Sequence, residues 1–229
     1  MNKFIFAICL TMLVCISLSA QNSDIVIVKA GTKVLDYFPV GERYLYPEFK
    51  EGQIIFKNGS INKARLNYNF VLGEIVFNQG KDTLEINRKK ELRECIVDQD
   101  TFLYDNGYMK LIHSGNVRVG FKHYVKFKDV LKKGAMGTTA RGASIDSYNS
   151  IASSGNLYDL VPDEDIELQK MNEYFISYSF GSFVQFRKKN VHDLFPQHTD
   201  EIKSYLKSNK VDFDSVKDLM RFADYLQKF

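Results

Sequence analysis

Gln53-Ile54-Ile55-Phe56-Lys57-Asn58-Gly59-Ser60, followed by Ala64-Arg65-Leu66-Asn67-Tyr68-Asn69-Phe70, decides the fold class of this chain. The first stretch is an apolar run that stops at Asn58-Gly59. Asn-Gly tolerates the positive φ angles of a tight hairpin turn, and here it is the strongest local hairpin signal. The second stretch alternates small or apolar residues with polar ones. Successive side chains of a strand point to opposite faces. Ala64, Leu66, Tyr68 and Phe70 are therefore expected to pack inward, and Arg65, Asn67 and Asn69 to face water.

The same texture extends outward on both sides. Toward the N-terminus, Ile25-Val26-Ile27-Val28 is a β-branched run, with turns marked by Gly31 and Pro39-Val40-Gly41. Toward the C-terminus, Gly73 breaks the pattern. Glu74-Ile75-Val76-Phe77 resumes it, and Thr83-Leu84-Glu85-Ile86 answers across Asn78-Gln79-Gly80-Lys81-Asp82. A charged interval, Asn87 to Glu94, reads as a helical turn or loop. Strand-like runs then recur at Ile96-Val97, Thr101–Tyr104, Tyr108–Ile112, Val117–Phe121 and Tyr124–Lys128, separated by short Asp/Asn/Gly/Ser clusters of the kind that accept turn geometry. Lys63, Arg65, Lys126 and Lys128 should face water. Many short strands at near-regular spacing predict an antiparallel meander that rolls into a partial barrel or sandwich.

The chain divides into a leader (1–20), a β-rich core (21–131), a Gly/Ser/Ala-rich segment (132–156) and a closing part (157–229) that belongs to one domain with the core. The Gly/Ser/Ala-rich segment holds few large apolar residues, so it is expected to be a flexible loop. In the closing part, Glu173–Phe180 and Ser182–Phe186 read as two strands around Gly181, or one strand with a bulge. Two C-terminal helices follow. Pro196 sits near the start of the first, with Ile202, Tyr205 and Leu206 at helical spacing. The second opens on Ser215-Val216-Lys217-Asp218, a capping box with Asp in place of Glu, and Val216, Leu219, Met220, Ala223 and Leu226 form its apolar face. The fold class is α+β, β-rich.

Residues 1–20 have the layout of a secretory signal: a short basic start at Lys3, an apolar run from Phe4 to Leu18, and small residues before a cut between Ala20 and Gln21. A polar stretch follows at once, so no transmembrane segment is expected after the leader is removed. Val14 before Cys15 fits lipid processing poorly. Only Cys95 would remain in the mature chain, which excludes an intrachain disulfide, and its apolar surroundings suggest a buried small hydrophobe. The sequence holds 31 Lys+Arg against 28 Asp+Glu, a net charge of +3, and loss of Lys3 lowers it to +2. Such a balance offers no field for nucleic acid.

The run Gly52–Gly59, Leu66-Asn67-Tyr68-Asn69, Gly73–Phe77 with Asp82-Thr83-Leu84, and the ending Leu194-Phe195-Pro196, Ile202–Leu206, Phe213 and last helix, with Gln21 after the leader, resemble uncharacterised exported β-rich proteins of the Bacteroidota. The resemblance covers about two-thirds of the chain. It implies a periplasmic or secreted protein of a Gram-negative envelope, and it brings no assigned activity and no site residues.

No stretch carries a catalytic, cofactor or metal motif. His113, His123, His192 and His198 make neither HExxH nor a spaced ligand set. Gly134, Gly137 and Gly142 lack the Gly-Lys-Ser/Thr of a phosphate loop, and Ser144 near Asp146 lacks the nucleophile elbow. Asp159, Asp163, Glu164, Asp165 and Glu167, around Pro162, lack EF-hand spacing and read as a solvated acidic turn at a helix start. Arg187-Lys188-Lys189 reads as the exposed end of a strand. Phe229 evokes the last residue of a membrane barrel, but Arg221 and Gln227 share its alternate positions, and helical spacing fits better. The expected function is that of an exported, non-catalytic envelope protein that binds a partner protein or ligand. The alternatives are a periplasmic or secreted hydrolase acting on glycans with dispersed carboxylates, and a small outer-membrane barrel.

Overall fold

A computed structural model describes residues 24–133, 139–142 and 160–229. The leader, with Ala20 and Gln21, lies outside the described residues. The strands are β1 (Ile25–Val28), β2 (Lys50–Phe56), β3 (Ile61–Asn69), β4 (Glu74–Gln79), β5 (Asp82–Glu85), β6 (Leu92–Val97), β7 (Asp100–Tyr104), β8 (Tyr108–His113), β9 (Val117–Lys133), β10 (Thr139–Gly142), β11 (Asp165–Tyr178) and β12 (Val184–Gln185). Two single helical turns, α1 (Val34–Tyr37) and α2 (Val40–Arg43), follow β1. The C-terminal helices are α3 (Lys188–Leu194), α4 (Thr199–Asn209) and α5 (Val216–Leu226).

All ladders are antiparallel. The sheet is open, in the order β1-β11-β9-β8-β7-β6-β2-β3-β4-β5, with β10 on β9 and β12 on β11. The Asn-Gly hairpin forms as the sequence dictates, with Ile55 opposite Ile61. Only Gly59 takes positive φ (86°). Asn58 instead caps the turn with its side chain, Oδ1 accepting from Ser60 N at 2.9 Å. This leaves a three-residue loop closed by Phe56 N to Ser60 O (3.0 Å).

The alternation in β3 holds on its apolar side: Leu66, Tyr68 and Phe70 are buried. It fails on the polar side, since Asn67 and Asn69 are fully buried. The segment between α2 and β2 covers them. Asn67 Oδ1 accepts from Tyr46 N (3.2 Å) and its Nδ2 donates to Tyr46 O (2.9 Å), so the amide replaces the water it was expected to meet. Asn69 Oδ1 accepts from Val71 N (3.0 Å) and shapes the turn into β4.

Three other expectations are corrected. Asp165 and Glu167 lie in β11 rather than at a helix start, because Ile166 and Leu168, which alternate with them, are fully buried in a strand paired on both sides. Lys188 and Lys189 open helix α3 rather than ending a strand, since Val191 and Phe195 must reach the helical core. Within the segment expected to be a loop, Lys132 and Lys133 extend β9 and Thr139–Gly142 pairs back on it, with Gly142 opposite Val130. Backbone pairing along an existing strand edge needs no large apolar side chain, which is why composition did not show it. Residues 134–138 and 143–156 of that segment lie outside the described residues.

Two cores result. One fills the rolled sheet and includes Leu66, Ile75, Cys95, Phe102, Tyr108, Val125, Phe127, Val130 and Leu168. The other joins the far ends of β9 and β11 (Val117, Val119, Ile176) to the helices through Phe186, Ile202, Leu219 and Phe222. Each fully buried side chain of this kind contributes about 1.5–3 kcal/mol. Ser215 caps α5 as expected, Oγ accepting from Asp218 N at 3.4 Å. No helix among the described residues is long and apolar enough to cross a membrane.

Candidate functional site

β9 runs from one core to the other, and the site lies where it belongs to neither. Val119 is in the helical core and Val125 in the sheet core. Between them, alternation sends Phe121 and His123 to one face and Lys122 and Tyr124 to the other. β8 pairs with β9 only as far as Phe121, opposite Lys110. Beyond that point the turn after β3 takes over the vacated edge. Val125 N donates to Phe70 O (3.1 Å) and Tyr68 OH donates to His123 O (2.6 Å). Gly73 fits there with φ of 71°, and a side chain on it would press on Tyr124. The open sheet thus meets itself at one seam, with a cleft on each side. Tyr68 lines both.

The first cleft, of about 490 Å³, is lined by Lys122, Tyr124, Glu173, Phe175, Phe183 and the Asp105-Asn106-Gly107 turn, among others. That turn has Asn106 and Gly107 at positive φ (50° and 113°), as its residue types permit. Its carbonyls accept from Lys122 Nζ, Asp105 O at 2.8 Å and Asn106 O at 3.0 Å. The ammonium lies 4.7 Å from the centre of the Phe175 ring. Burial holds the Lys122 pKa below the usual lysine value, against the opposing pull of Asp105 and Glu173. Opposite Lys122 on β11, Glu173 accepts from Tyr124 OH at 3.1 Å and from Gln185 Nε2 at 3.5 Å. Burial, then the Glu173 charge, pushes the Tyr124 phenol up to about 12, so at neutral pH it is a hydrogen-bond donor.

The second cleft, of about 360 Å³, is aromatic. Tyr44, Phe70, Phe102, Phe121 and His123 line it, with Lys110 at one side. His123 lies 4.9 Å from the Phe70 ring, and its Nδ1 faces Asn172 Oδ1 at 2.5 Å. Lys110 is committed to Asp100 (2.7 Å), which also accepts from Tyr46 OH (2.5 Å).

The residues weighed from sequence do not converge. His113 Nε2 faces Asp224 Oδ1 and its Nδ1 faces Val117 O, both at 3.0 Å, so it clips α5 to the sheet. His198 stacks on Phe229 (3.9 Å), and His192 sits in α3. Cys95 is fully buried, and burial followed by the Glu94 charge pushes its thiol up to about 12. Asp165 pairs with Lys29 (2.8 Å) and Glu167 with Lys128 (2.6 Å). Ser144, Asp146, Asp159, Gly134 and Gly137 lie outside the described residues. Among the described residues no group of three or more His, Cys, Asp or Glu is placed to hold a metal.

Lys122, Glu173, Phe175 and Phe183 were not singled out from sequence. The available signal was a lysine inside the aromatic alternation Phe121-Lys122-His123-Tyr124. No protein-family model, curated protein or solved structure matches the chain.

Proposed function

We propose that this is an exported, non-catalytic envelope protein that binds a small, polar, ring-shaped ligand, such as a glycan unit, in the Lys122 cleft. The observation that carries the reading is the arrangement of fixed polar groups beside aromatic rings: Lys122 over Phe175, and Tyr124 on Glu173, in one cleft with Phe183. The cleft has the size of a ligand site, and its mix of apolar walls with a few oriented polar groups is the usual make-up of one. Binding is favoured over catalysis because the polar groups are already engaged. Lys122 serves the Asp105-Asn106 carbonyls, and Glu173 serves Tyr124 and Gln185.

The test is calorimetric titration of the protein starting at Gln21 with oligosaccharides and peptidoglycan fragments. A bound sugar should lose about tenfold or more in affinity on Phe175→Ala, since an aromatic wall contributes on the order of 1–3 kcal/mol. Unchanged affinity in Phe175→Ala and Phe183→Ala would remove the cleft from consideration. The hydrolase reading has one observation in its favour: Asp105 and Glu173 both line the Lys122 cleft, and glycoside hydrolysis needs two carboxylates. Turnover by pure protein that Glu173→Gln abolishes would establish it. Envelope fractionation with N-terminal sequencing should find a chain that begins at Gln21. Full-length chain in the cytosol would refute export.

A further inference from the structure

Arg118 shares the Lys122 face of β9, four residues earlier along the strand. Its guanidinium lies against two rings, with Cζ 4.9 Å from the centre of the Phe180 ring and 5.0 Å from that of Phe183. Both hydrogen bonds that it makes to described residues run through Nη2, to Ser177 Oγ (2.9 Å) and Gly181 O (3.2 Å). Both acceptors are neutral, and Ser177 Oγ itself donates to Gly181 O (2.7 Å). Nε is buried without a partner. No carboxylate pairs with Arg118 among the described residues, and its pKa is lowered by burial with no acidic neighbour to oppose the shift. A partly desolvated cation held only by neutral groups is short of one counter-charge.

The turn beside it is strained. Ser179 and Phe180 both take left-handed φ angles (49° and 58°), and Phe180 is 78% exposed. A bulky aromatic in that region is a genuine outlier, and such strain collects at ligand sites. There Phe180 and Phe183 both lie beside the guanidinium at cation–π distance. A planar carboxylate pairs with the in-plane donors of a guanidinium and leaves such ring contacts in place. Phe183 also lines the Lys122 cleft, so the two places meet at one ring.

We propose that Arg118, framed by Phe180 and Phe183, binds the carboxylate of an acidic sugar whose ring lies in the Lys122 cleft. This rests on the reading of that cleft as a sugar site. The experiment titrates the protein with galacturonate oligomers and with matched neutral galactose oligomers, by calorimetry. The acidic series should bind on the order of tenfold tighter. The advantage should shrink in high salt and vanish in Arg118→Gln while neutral-sugar affinity persists. Because Arg118 also braces the turn, two further measurements bear on the same point. Phe180→Ala should weaken only the acidic series, and the wild-type Arg118 Nε resonance should shift with galacturonate and not with galactose. Equal affinity for the two series, or an acidic preference that survives Arg118→Gln, overturns the Arg118 assignment and leaves the cleft standing. Absence of binding in both series overturns both. A preference for galactose 1-phosphate over galacturonate overturns the choice of carboxylate.

Discussion

His192 carries the clearest pH signature of any single residue. Both of its ring nitrogens are buried without a partner. Burial, then the charges of Lys188 and Lys203, holds its pKa below 6.5, with Asp193 opposing. A base whose folded value is depressed takes up protons more readily in the unfolded chain. Its contribution to stability is therefore present above 6.5 and lost as pH falls toward the folded value. Urea midpoints of the wild type should drop more steeply below pH 6.5 than those of His192→Gln, and parallel curves would disprove this. The sequence showed the histidine but not its isolation, which depends on the packing of α3 against the helical core. Asn67 and Asn69 teach the same lesson in reverse. Alternation gave their face correctly, but the segment covering that face lies some twenty residues earlier in the chain. Arg118 and Phe180 were illegible for a related reason, since φ angles and the absence of a counter-charge belong to the assembled structure.

At the scale of elements, Gly52 is a point of the sheet where the backbone itself leaves no room for a side chain. It lies in β2 between Ala64 of β3 and Val97 of β6. A β-carbon there would lie 2.6 Å from Ile96 O and 2.7 Å from Leu66 Cδ1. The oxygen is backbone and cannot swing aside, so Gly52→Ala should cost about 1–3 kcal/mol by overpacking, read as a lower urea midpoint. A variant as stable as the wild type would mean that the β2 crossing relaxes freely. Most elements were legible from sequence. The hairpins of β2–β3 and β4–β5, the turns at Asp105-Asn106-Gly107 and Ser114-Gly115-Asn116, and the capped last helix all rest on local chemistry. What local chemistry lacks is continuity. Val117–Phe121 and Tyr124–Lys128 read as separate runs, yet they are one 17-residue strand. Among the described residues, Lys122 and His123 between them meet partners on β11, on the turn after β7 and on Tyr68 of β3.

At the scale of the molecule, closure uses few hydrogen bonds. Among the described residues the seam holds the backbone bond Val125 N to Phe70 O, reinforced by Tyr68 OH on His123 O, while Tyr68, Phe70 and Val125 are buried in one core. Tyr68→Phe should cost about 0.5–1.5 kcal/mol. It should also speed exchange of the Val125 amide more than that of amides in α5. Unchanged Val125 protection would show that the phenol does not hold the seam. Glu173 and Tyr124, 49 residues apart, meet only because β9 and β11 lie side by side along nearly their whole lengths. No spacing rule reaches that far, so the clefts could not be read from sequence.

The two long strands act as a bridge whose piers are the two cores. Residues 120–124 form the middle of the span, paired with β11 throughout but with β8 only as far as Phe121, and a hollow opens on each face. The hollows are what remains when a girder is longer than the masonry at either end. A larger residue at Val119 or Val125, which share the face of Phe121 and His123, would crowd only the aromatic hollow. Emptiness at this position therefore goes with strand length, and it has two sides that a single substitution on β9 reaches only one at a time.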